Sequence, residues 1–274
     1  MTCIVGMFFD SKAGAMVLSD SRIMRGGDYA RDQKLFVVGD EVVFAAAGYS
    51  GIAKKLLRQV ETTRIRSRKY LRSEVVEVFE DEMAELHNRY KVSRPYRFSD
   101  SDNLLTGIIG FVDDNKPQLY CLYENGYAEA IPDFLAIGHG ARHAHNILRS
   151  LYSPSIPKER ALELAVHVLV EVAKADAMVD DAPQLAILGD KVGKTGIDVL
   201  NIEGGKFKFA DCSRIQPIKK RVEGIEQKMT DLFHSLLDTH AEATNGHPAV
   251  PLPVDVKEVT DAGKGSRGKG SAKS

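Results

Sequence analysis

Residues 2–9, with the sequence Thr-Cys-Ile-Val-Gly-Met-Phe-Phe, decide how the rest of the chain is interpreted. The run is apolar and rich in β-prone residues, so it predicts a buried strand. Residues 11–14 favour a turn, and residues 15–19 return as a second strand. Residues 35–38 and 42–47 predict a second hairpin, so the first part of the chain is expected to be antiparallel.

Helices and strands alternate in blocks along the remaining sequence. Apolar residues at helical spacing predict two helices, at residues 50–66 and 72–90. Further strands are predicted at residues 104–112, 118–123, 127–137, 184–188, 197–202 and 206–209, and further helices at 141–151 and 157–177. Two stacked antiparallel sheets, each covered on its outer face by a helix pair, bury every apolar surface in this order. The predicted fold class is α+β, a four-layer αββα sandwich over residues 2–211.

The C-terminal part of the sequence has a different character. Residues 212–244 are predicted to form a helical extension, with one amphipathic helix at about 218–237. Residues 245–274 are rich in Pro and then in Gly, Ser and Lys, and they carry too few apolar side chains to bury. This segment is therefore predicted to be a disordered tail.

Composition excludes several classes of protein. The formal net charge of −1 gives no electrostatic reason to expect nucleic acid or a membrane surface as a partner. No apolar run is long enough for a transmembrane helix, and the N-terminal residues lack the basic leader of a secretory signal. The three cysteines, Cys3, Cys121 and Cys212, form no CxxC pair. A cytoplasmic protein is expected.

The pair Met1-Thr2 carries the first chemical signal. Methionine is usually removed when a small residue follows it, which places a hydroxyl and a free α-amine on Thr2. An α-amine has a reference pKa of about 7.7–8.0, so it can act as a general base near neutral pH. Thr with its own amine is a recognised nucleophile-and-base arrangement.

Several further segments extend this signal, and the separations of Lys34 and Gly48 from Thr2 are part of it. The segments are Ile4-Val5-Gly6, Asp20 with Arg22, Lys34-Leu35-Phe36, Gly48, Ala136-Ile137-Gly138-His139-Gly140 and Lys174-Ala175-Asp176. In this combination residues 2–211 resemble the proteasome β-subunits and the related HslV peptidase, which are N-terminal-nucleophile hydrolases.

The resemblance implies a role for each matching residue. Thr2 is the nucleophile, Lys34 held by Asp20 supplies positive charge, and the Gly48 N–H donates to the oxyanion. Asp176 is expected to hydrogen-bond near the Thr2 amine and to orient it. The residues expected to shape the substrate pocket are Asp32, Ala46 and Ser50.

Two positions depart from the family pattern. His139 stands where a Ser is usual between the two glycines, and Val179 stands where a second supporting Ser is expected. One interpretation is that His139 takes over hydrogen bonding and proton transfer. The other is that peptidase activity is altered or lost.

The leading functional prediction is a threonine peptidase or amide hydrolase that needs no cofactor. The resemblance implies polypeptide substrates, rings of identical subunits and possible docking of an ATP-dependent unfoldase. The alternatives are an inactive scaffold or binding protein, and an amidase or acyl-transferase acting on a small substrate. Cys3 could lead the chain as a nucleophile only if both Met1 and Thr2 were lost, so it ranks below Thr2.

The three histidines His139, His143 and His145 lie close together in sequence but lack a further ligand at a suitable spacing. No metal site is therefore predicted.

Overall fold

The computed structural model describes most of the chain up to residue 207. The described residues are 2–25, 28–39, 42–67, 74–93, 103–189, 197–200, 202–203, 206–207, 220–222, 224, 227–228 and 231. None of the helices in these ranges is long and apolar enough to cross a membrane.

The strands and helices follow the predicted blocks. In chain order the elements are β1 (Cys3–Phe9), β2 (Gly14–Ser19), β3 (Arg22–Arg25), β4 (Asp28–Arg31), β5 (Leu35–Val38), β6 (Val42–Gly48), α1 (Ser50–Ser67), α2 (Glu74–His87), β7 (Leu105–Asp113), β8 (Lys116–Leu122), β9 (Ala128–Ala130), β10 (Phe134–Gly138), α3 (Ala141–Leu151), α4 (Lys158–Ala175), β11 (Gln184–Gly189), β12 (Ile197–Leu200), β13 (Ile202–Glu203) and β14 (Lys206–Phe207). A π-helical turn, Asn88–Val92, follows α2. The combination of helices with antiparallel sheets confirms the α+β class.

Two five-stranded antiparallel sheets form the centre of the fold. The first has the strand order β10-β1-β2-β11-β12, and the second has the order β5-β6-β7-β8-β9. The β3–β4 and β13–β14 hairpins are separate two-stranded units. Strand β1 therefore lies inside its sheet, paired with β2 on one side and with β10 on the other.

Both faces of β1 are buried, because its side chains alternate between two parts of the core. Cys3 and Val5 belong to a cluster that includes side chains of α3 and α4. Ile4 belongs to a cluster that joins the first sheet to β5, β6, β7 and β8 of the second. A third cluster joins the second sheet to α1 and α2. Burial on both faces fixes the position of β1 and of the residue before it.

One predicted strand is wrong as a single element. Residues 127–137 form two strands, β9 and β10, which belong to different sheets. The Ile131 N–H donates to the Leu119 carbonyl in the second sheet, while the Phe8 N–H donates to the Asp133 carbonyl in the first. Pro132, between them, has no N–H to continue either ladder.

The sequence also missed the β3–β4 hairpin and placed some helix ends differently. Residues 22–25 and 28–31 pair as a hairpin although most of their described side chains are exposed, so they show no apolar alternation. Helix α4 ends at Ala175 and not at 177, which leaves Asp176 as an extended residue just beyond the helix.

The C-terminal predictions fall mostly outside the described residues. Residues 220–222, 224, 227–228 and 231 are helical, within the helix predicted at about 218–237. Val222 packs in the cluster that contains α4, and the Arg221 guanidinium donates to Glu163 at 2.7 Å. Contacts divide the chain into two units, Met1–Glu226 and Gln227–Ser274, and Gln227 donates to Asp231 in the second. The tail predicted at 245–274 lies outside the described residues.

Candidate active site

Thr2 lies immediately before β1, and its backbone is enclosed by the segment that follows β10. Only 2% of the residue is exposed. The Gly140 N–H donates to the Thr2 carbonyl at 3.2 Å. Gly138 has a φ of +91°, and a Cβ there would lie 2.3 Å from the Thr2 carbonyl oxygen. Gly138 is therefore required by close packing against Thr2, whereas a Cβ at Gly140 would lie 2.5 Å from the Val172 side chain.

Asp20 and Lys34 form a buried ion pair next to the start of β1. The Lys34 ammonium donates to both Asp20 carboxylate oxygens, at 2.8 and 3.0 Å. Asp20 also accepts the backbone N–H groups of Cys3 at 2.9 Å and Arg22 at 3.1 Å. The pair is almost fully buried, with 0% of Asp20 and 5% of Lys34 exposed. Burial lowers the pKa of Lys34, and the negative charge of Asp20 opposes that change.

Thr2 and Lys34 line one cavity together with Gly48. The cavity has a volume of about 420 Å³. Ala46 and Ser50, two of the three residues predicted to shape a substrate pocket, also line it. Much of the remaining lining is apolar, from Ile23, Met24, Phe36, Ala53 and Leu105. The cavity therefore combines a hydroxyl and an ammonium with an apolar wall.

Asp32 is placed differently from the other two predicted pocket residues. It is not part of the described lining of the cavity. Its carboxylate accepts the Gln33 N–H at 2.8 Å and the Lys54 ammonium at 3.1 Å. A contact between Asp32 and substrate stays a prediction.

Gly48 ends β6 in a conformation that favours glycine. Its φ is +130°, and a Cβ there would lie 2.6 Å from the Leu104 carbonyl oxygen. A side chain at this position would collide with the neighbouring backbone of the second sheet. The backbone at this edge of the cavity therefore requires glycine.

The Cys3 thiol is unsuited to nucleophilic attack. Cys3 is 1% exposed and packs toward α3 and α4. Burial, with the nearby Asp20 carboxylate adding to it, raises the pKa of Cys3 to about 12, so the thiol is neutral near physiological pH. The structure therefore favours Thr2 over Cys3 as the reactive residue.

His139 and Asp176 form a hydrogen-bonded pair on the other side of Thr2. The His139 Nδ1 donates to Asp176 Oδ2 at 2.5 Å, and the Met178 N–H donates to Asp176 Oδ1 at 2.9 Å. Burial alone raises the pKa of Asp176, but these two hydrogen bonds, together with electrostatic attraction to His139 and His143, hold the pKa below its usual value. Asp176, predicted to orient the Thr2 amine, is thus bonded to His139 and to Met178.

The other residues singled out near this side have structural partners. Val179 is buried and lies against Gly140, where a Cβ would be 3.3 Å from it. His145 accepts the Ala136 N–H at 3.3 Å and packs on Phe134. Within the described part of the chain, no three His, Cys, Asp or Glu side chains converge as metal ligands would.

Two buried polar residues that hold the site were missed by sequence reasoning. Gln184 accepts the backbone N–H groups of Lys34 at 2.9 Å and Leu35 at 3.0 Å, and it donates to the Asp32 carbonyl at 2.9 Å. Asp180 accepts the N–H and the hydroxyl of Ser21, at 3.0 and 2.9 Å. Their partners lie 150 and 159 residues away in sequence, so no local pattern points to them.

Comparison with known proteins gives a consistent family. A family model described as proteasome subunit matches residues 2–188. The chain is 28% identical to the proteasome subunit beta of Methanoregula boonei over 178 residues, which cover 64% of this chain and 79% of that protein. It is 26% identical to the proteasome subunit beta of Archaeoglobus fulgidus over 200 residues, 72% of this chain and 83% of that protein. A shorter match of 115 residues, at 33% identity, is to proteasome subunit beta type-10 of Rattus norvegicus and covers 41% of this chain and 37% of that protein. Since the family model covers most of the chain, this protein belongs to the proteasome subunit family.

Proposed function

We propose that this chain is a threonine peptidase or amide hydrolase of the proteasome type, with Thr2 as its nucleophile after Met1 is removed. One observation carries the proposal: Thr2, Lys34 and Gly48 line the same cavity, and Lys34 is held there by the buried Asp20. Membership of the proteasome subunit family supports a hydrolase of this kind.

In the proposed reaction, the Thr2 hydroxyl oxygen attacks the carbonyl carbon of the substrate amide. The hydroxyl proton moves to the freed Thr2 amine and then to the departing amine of the substrate. The Lys34 ammonium stabilises negative charge on the attacking oxygen, and the Gly48 N–H donates to the oxyanion. Water then hydrolyses the acyl ester on Thr2 and restores the hydroxyl.

The cavity supports polypeptide substrates with an apolar side chain next to the cleaved bond. Ala46 is small, and Ile23, Met24 and Phe36 provide an apolar wall that suits an apolar side chain of the substrate. Burial of an apolar side chain there contributes about 25 cal/mol per Å² of area removed from water. We include Ser50 and Asp32 in the proposed binding site, with Asp32 acting from beside the cavity.

The family relationship also supports proposals about architecture and assembly. We infer a four-layer αββα sandwich from the three core clusters, which couple helices to sheet, sheet to sheet and sheet to helices. We further propose rings of identical subunits, a cytoplasmic location and docking of an unfoldase that delivers polypeptide.

A second candidate function is a proteasome-like scaffold without catalysis. It is favoured by one observation: Asp176, expected to orient the Thr2 amine, is hydrogen-bonded to His139 and to the Met178 N–H. A trimmed chain that does not react with electrophiles would support this candidate.

The deciding measurement is the intact mass of the purified protein with and without a peptide epoxyketone, which joins the hydroxyl and the amine of an N-terminal Thr. We expect a chain that lacks Met1 and gains one inhibitor mass on Thr2. Thr2→Ala should gain none, whereas Thr62→Ala, a matched change on the exposed face of α1, should react like the wild type. Retention of Met1, or labelling of Thr2→Ala, would remove the proposed mechanism.

A further inference from the structure

His139 is held next to Thr2 by the backbone on both of its sides. Gly138 and Gly140, its two neighbours, are both in close contact with the Thr2 carbonyl. The imidazole itself does not pack into the core, since 59% of the side chain is exposed. It is also outside the described lining of the cavity that Thr2 shares with Lys34. The exposed ring therefore extends into solvent from the backbone segment that encloses Thr2.

Asp176 fixes the orientation of this imidazole. Its carboxylate is 11% exposed and is anchored by the Met178 N–H. An ionised carboxylate can only accept, so the bonded His139 Nδ1 carries a proton. In the neutral ring Nε2 then has a free lone pair and can accept a proton. A carboxylate that orients an imidazole next to a nucleophile is an arrangement used for general base catalysis.

We propose that His139, oriented by Asp176, is the general base that activates water to hydrolyse the acyl ester on Thr2. In this step water attacks the ester carbonyl carbon while His139 Nε2 takes a water proton. The tetrahedral intermediate then releases the Thr2 oxygen, which receives that proton back from Nε2. Attack on the substrate still uses the Thr2 amine. The inference rests on the proposed function and adds His139 to its second step, the hydrolysis of the acyl ester.

The test compares acylation with deacylation in His139→Ala. Epoxyketone labelling of Thr2 does not involve water, so this variant should be labelled as fast as the wild type. Turnover of a short peptide ester should fall by about 100-fold, the lower end of what a general base contributes. Intact mass during turnover should show an accumulated acyl-enzyme that the wild type lacks.

Two further variants separate catalysis from structure. Asp176→Asn keeps the shape but weakens the orientation of the ring, so it should also accumulate acyl-enzyme, to a lesser extent. His143→Ala is the matched control, because this exposed histidine on α3 acts on Asp176 only through its charge. It should turn over like the wild type.

Rescue of turnover by free imidazole distinguishes a catalytic role of His139 from a merely structural one. Since the ring is exposed, imidazole from solution can occupy the place that His139→Ala leaves. Addition of imidazole should restore turnover at least about 10-fold in His139→Ala and leave Asp176→Asn and the wild type unchanged.

The outcomes distinguish the two proposals. Normal labelling of His139→Ala together with normal turnover would overturn the role of His139 and leave the threonine mechanism standing. Normal labelling with lost turnover, but without acyl-enzyme or rescue by imidazole, would also overturn it. Failure of the wild type to label would overturn both, and failure of His139→Ala alone to label would assign His139 to the first step and contradict this inference.

Discussion

Thr2 lies between two acid–base pairs that differ in burial and in the number of hydrogen bonds they make. Lys34 and Asp20 are nearly fully buried, and Asp20 accepts four hydrogen bonds from Lys34, Cys3 and Arg22. His139 and Asp176 lie near the surface, with more than half of the imidazole exposed. The first pair occupies positions that match the family pattern, while His139 departs from it.

The difference teaches where this site can vary. A charge in the buried pair cannot be changed without stranding its partner in a low-dielectric interior. The side chain at position 139 faces water. Its replacement should not disturb the packing of Thr2, because the two flanking glycines make those contacts. A buried pair that packing holds in place and an exposed side chain that can be replaced thus lie on opposite sides of Thr2.

The largest effect is expected from Lys34→Met, which removes the buried ammonium but keeps an apolar chain of similar length. Asp20 would lose its counter-charge, so unfolding free energy should fall by about 3–5 kcal/mol. Epoxyketone labelling should slow by at least about 100-fold. Denaturant titration and labelling rates measure the two effects. The double variant Asp20→Asn with Lys34→Met should regain part of the stability but none of the labelling; recovery of labelling would show that Lys34 is structural only.

The next largest effect is expected from Gln184→Met. The substitution removes the acceptor for two backbone N–H groups, those of Lys34 and Leu35, in a buried place. Each unsatisfied group costs about 1–3 kcal/mol, and at the low end of that range the two groups together cost about 2 kcal/mol, which denaturant titration measures. Gln184→Glu keeps an acceptor at this position, so its rate of epoxyketone labelling should fall less than that of Gln184→Met. Equal loss in both would mean that these hydrogen bonds do not position Lys34.

A smaller loss of stability is expected from Gly48→Ala and from Gly138→Ala, two substitutions on different sides of Thr2. Each forces a side chain into a positive-φ conformation and against a carbonyl oxygen, at 2.6 Å from Leu104 and 2.3 Å from Thr2. Such strain costs about 1–3 kcal/mol. Gly51→Ala in α1 meets no atom within 4 Å and should not destabilise the protein. Thermal unfolding checks all three, and a tolerated Gly138→Ala would argue against the tight enclosure of Thr2.

The smallest effect is the acid dependence of stability at Asp176. Its folded pKa is below the unfolded value of about 3.9, so its contribution is fully present well above that value. The contribution is lost as the pH falls from about 4 through the lower folded pKa. Asp176→Asn should therefore flatten the acid arm of the stability curve by less than about 1 kcal/mol, because the partner His139 is largely exposed. A steeper acid arm in the variant would contradict the sign.

Local patterns predicted what depends on neighbours in sequence. Apolar runs predicted β1, β2, β6 and most helices within a few residues, whereas Lys34 and Gly48 were singled out by the family resemblance and line the same cavity as Thr2. The division of residues 127–137 between two sheets was missed because the run is apolar enough for one strand, and the role of Pro132 depends on which sheet each half joins.

The supports of the site depend on distant residues and were not predictable in this way. Gln184 looks like an ordinary strand residue until β11 is placed against the start of β5. Asp180 looks like a surface acid, yet it is 4% exposed and bonded to Ser21. The pairing of His139 with Asp176 likewise requires α3 and α4 to be packed on the same sheet.

The enclosure of Thr2 by residues far along the chain also sets the order of events during synthesis. The groups that hold Thr2 and Lys34 in place come from the segments at 138–140 and 184, the latter 150 residues after Lys34. At ribosomal rates of about 5–20 residues per second, that interval is on the order of 10 s. The nascent chain carries its threonine without the enclosing glycines until residues 138–140 are made, and Lys34 lacks its Gln184 contact until later still, so the site is complete only when translation of the domain is nearly finished.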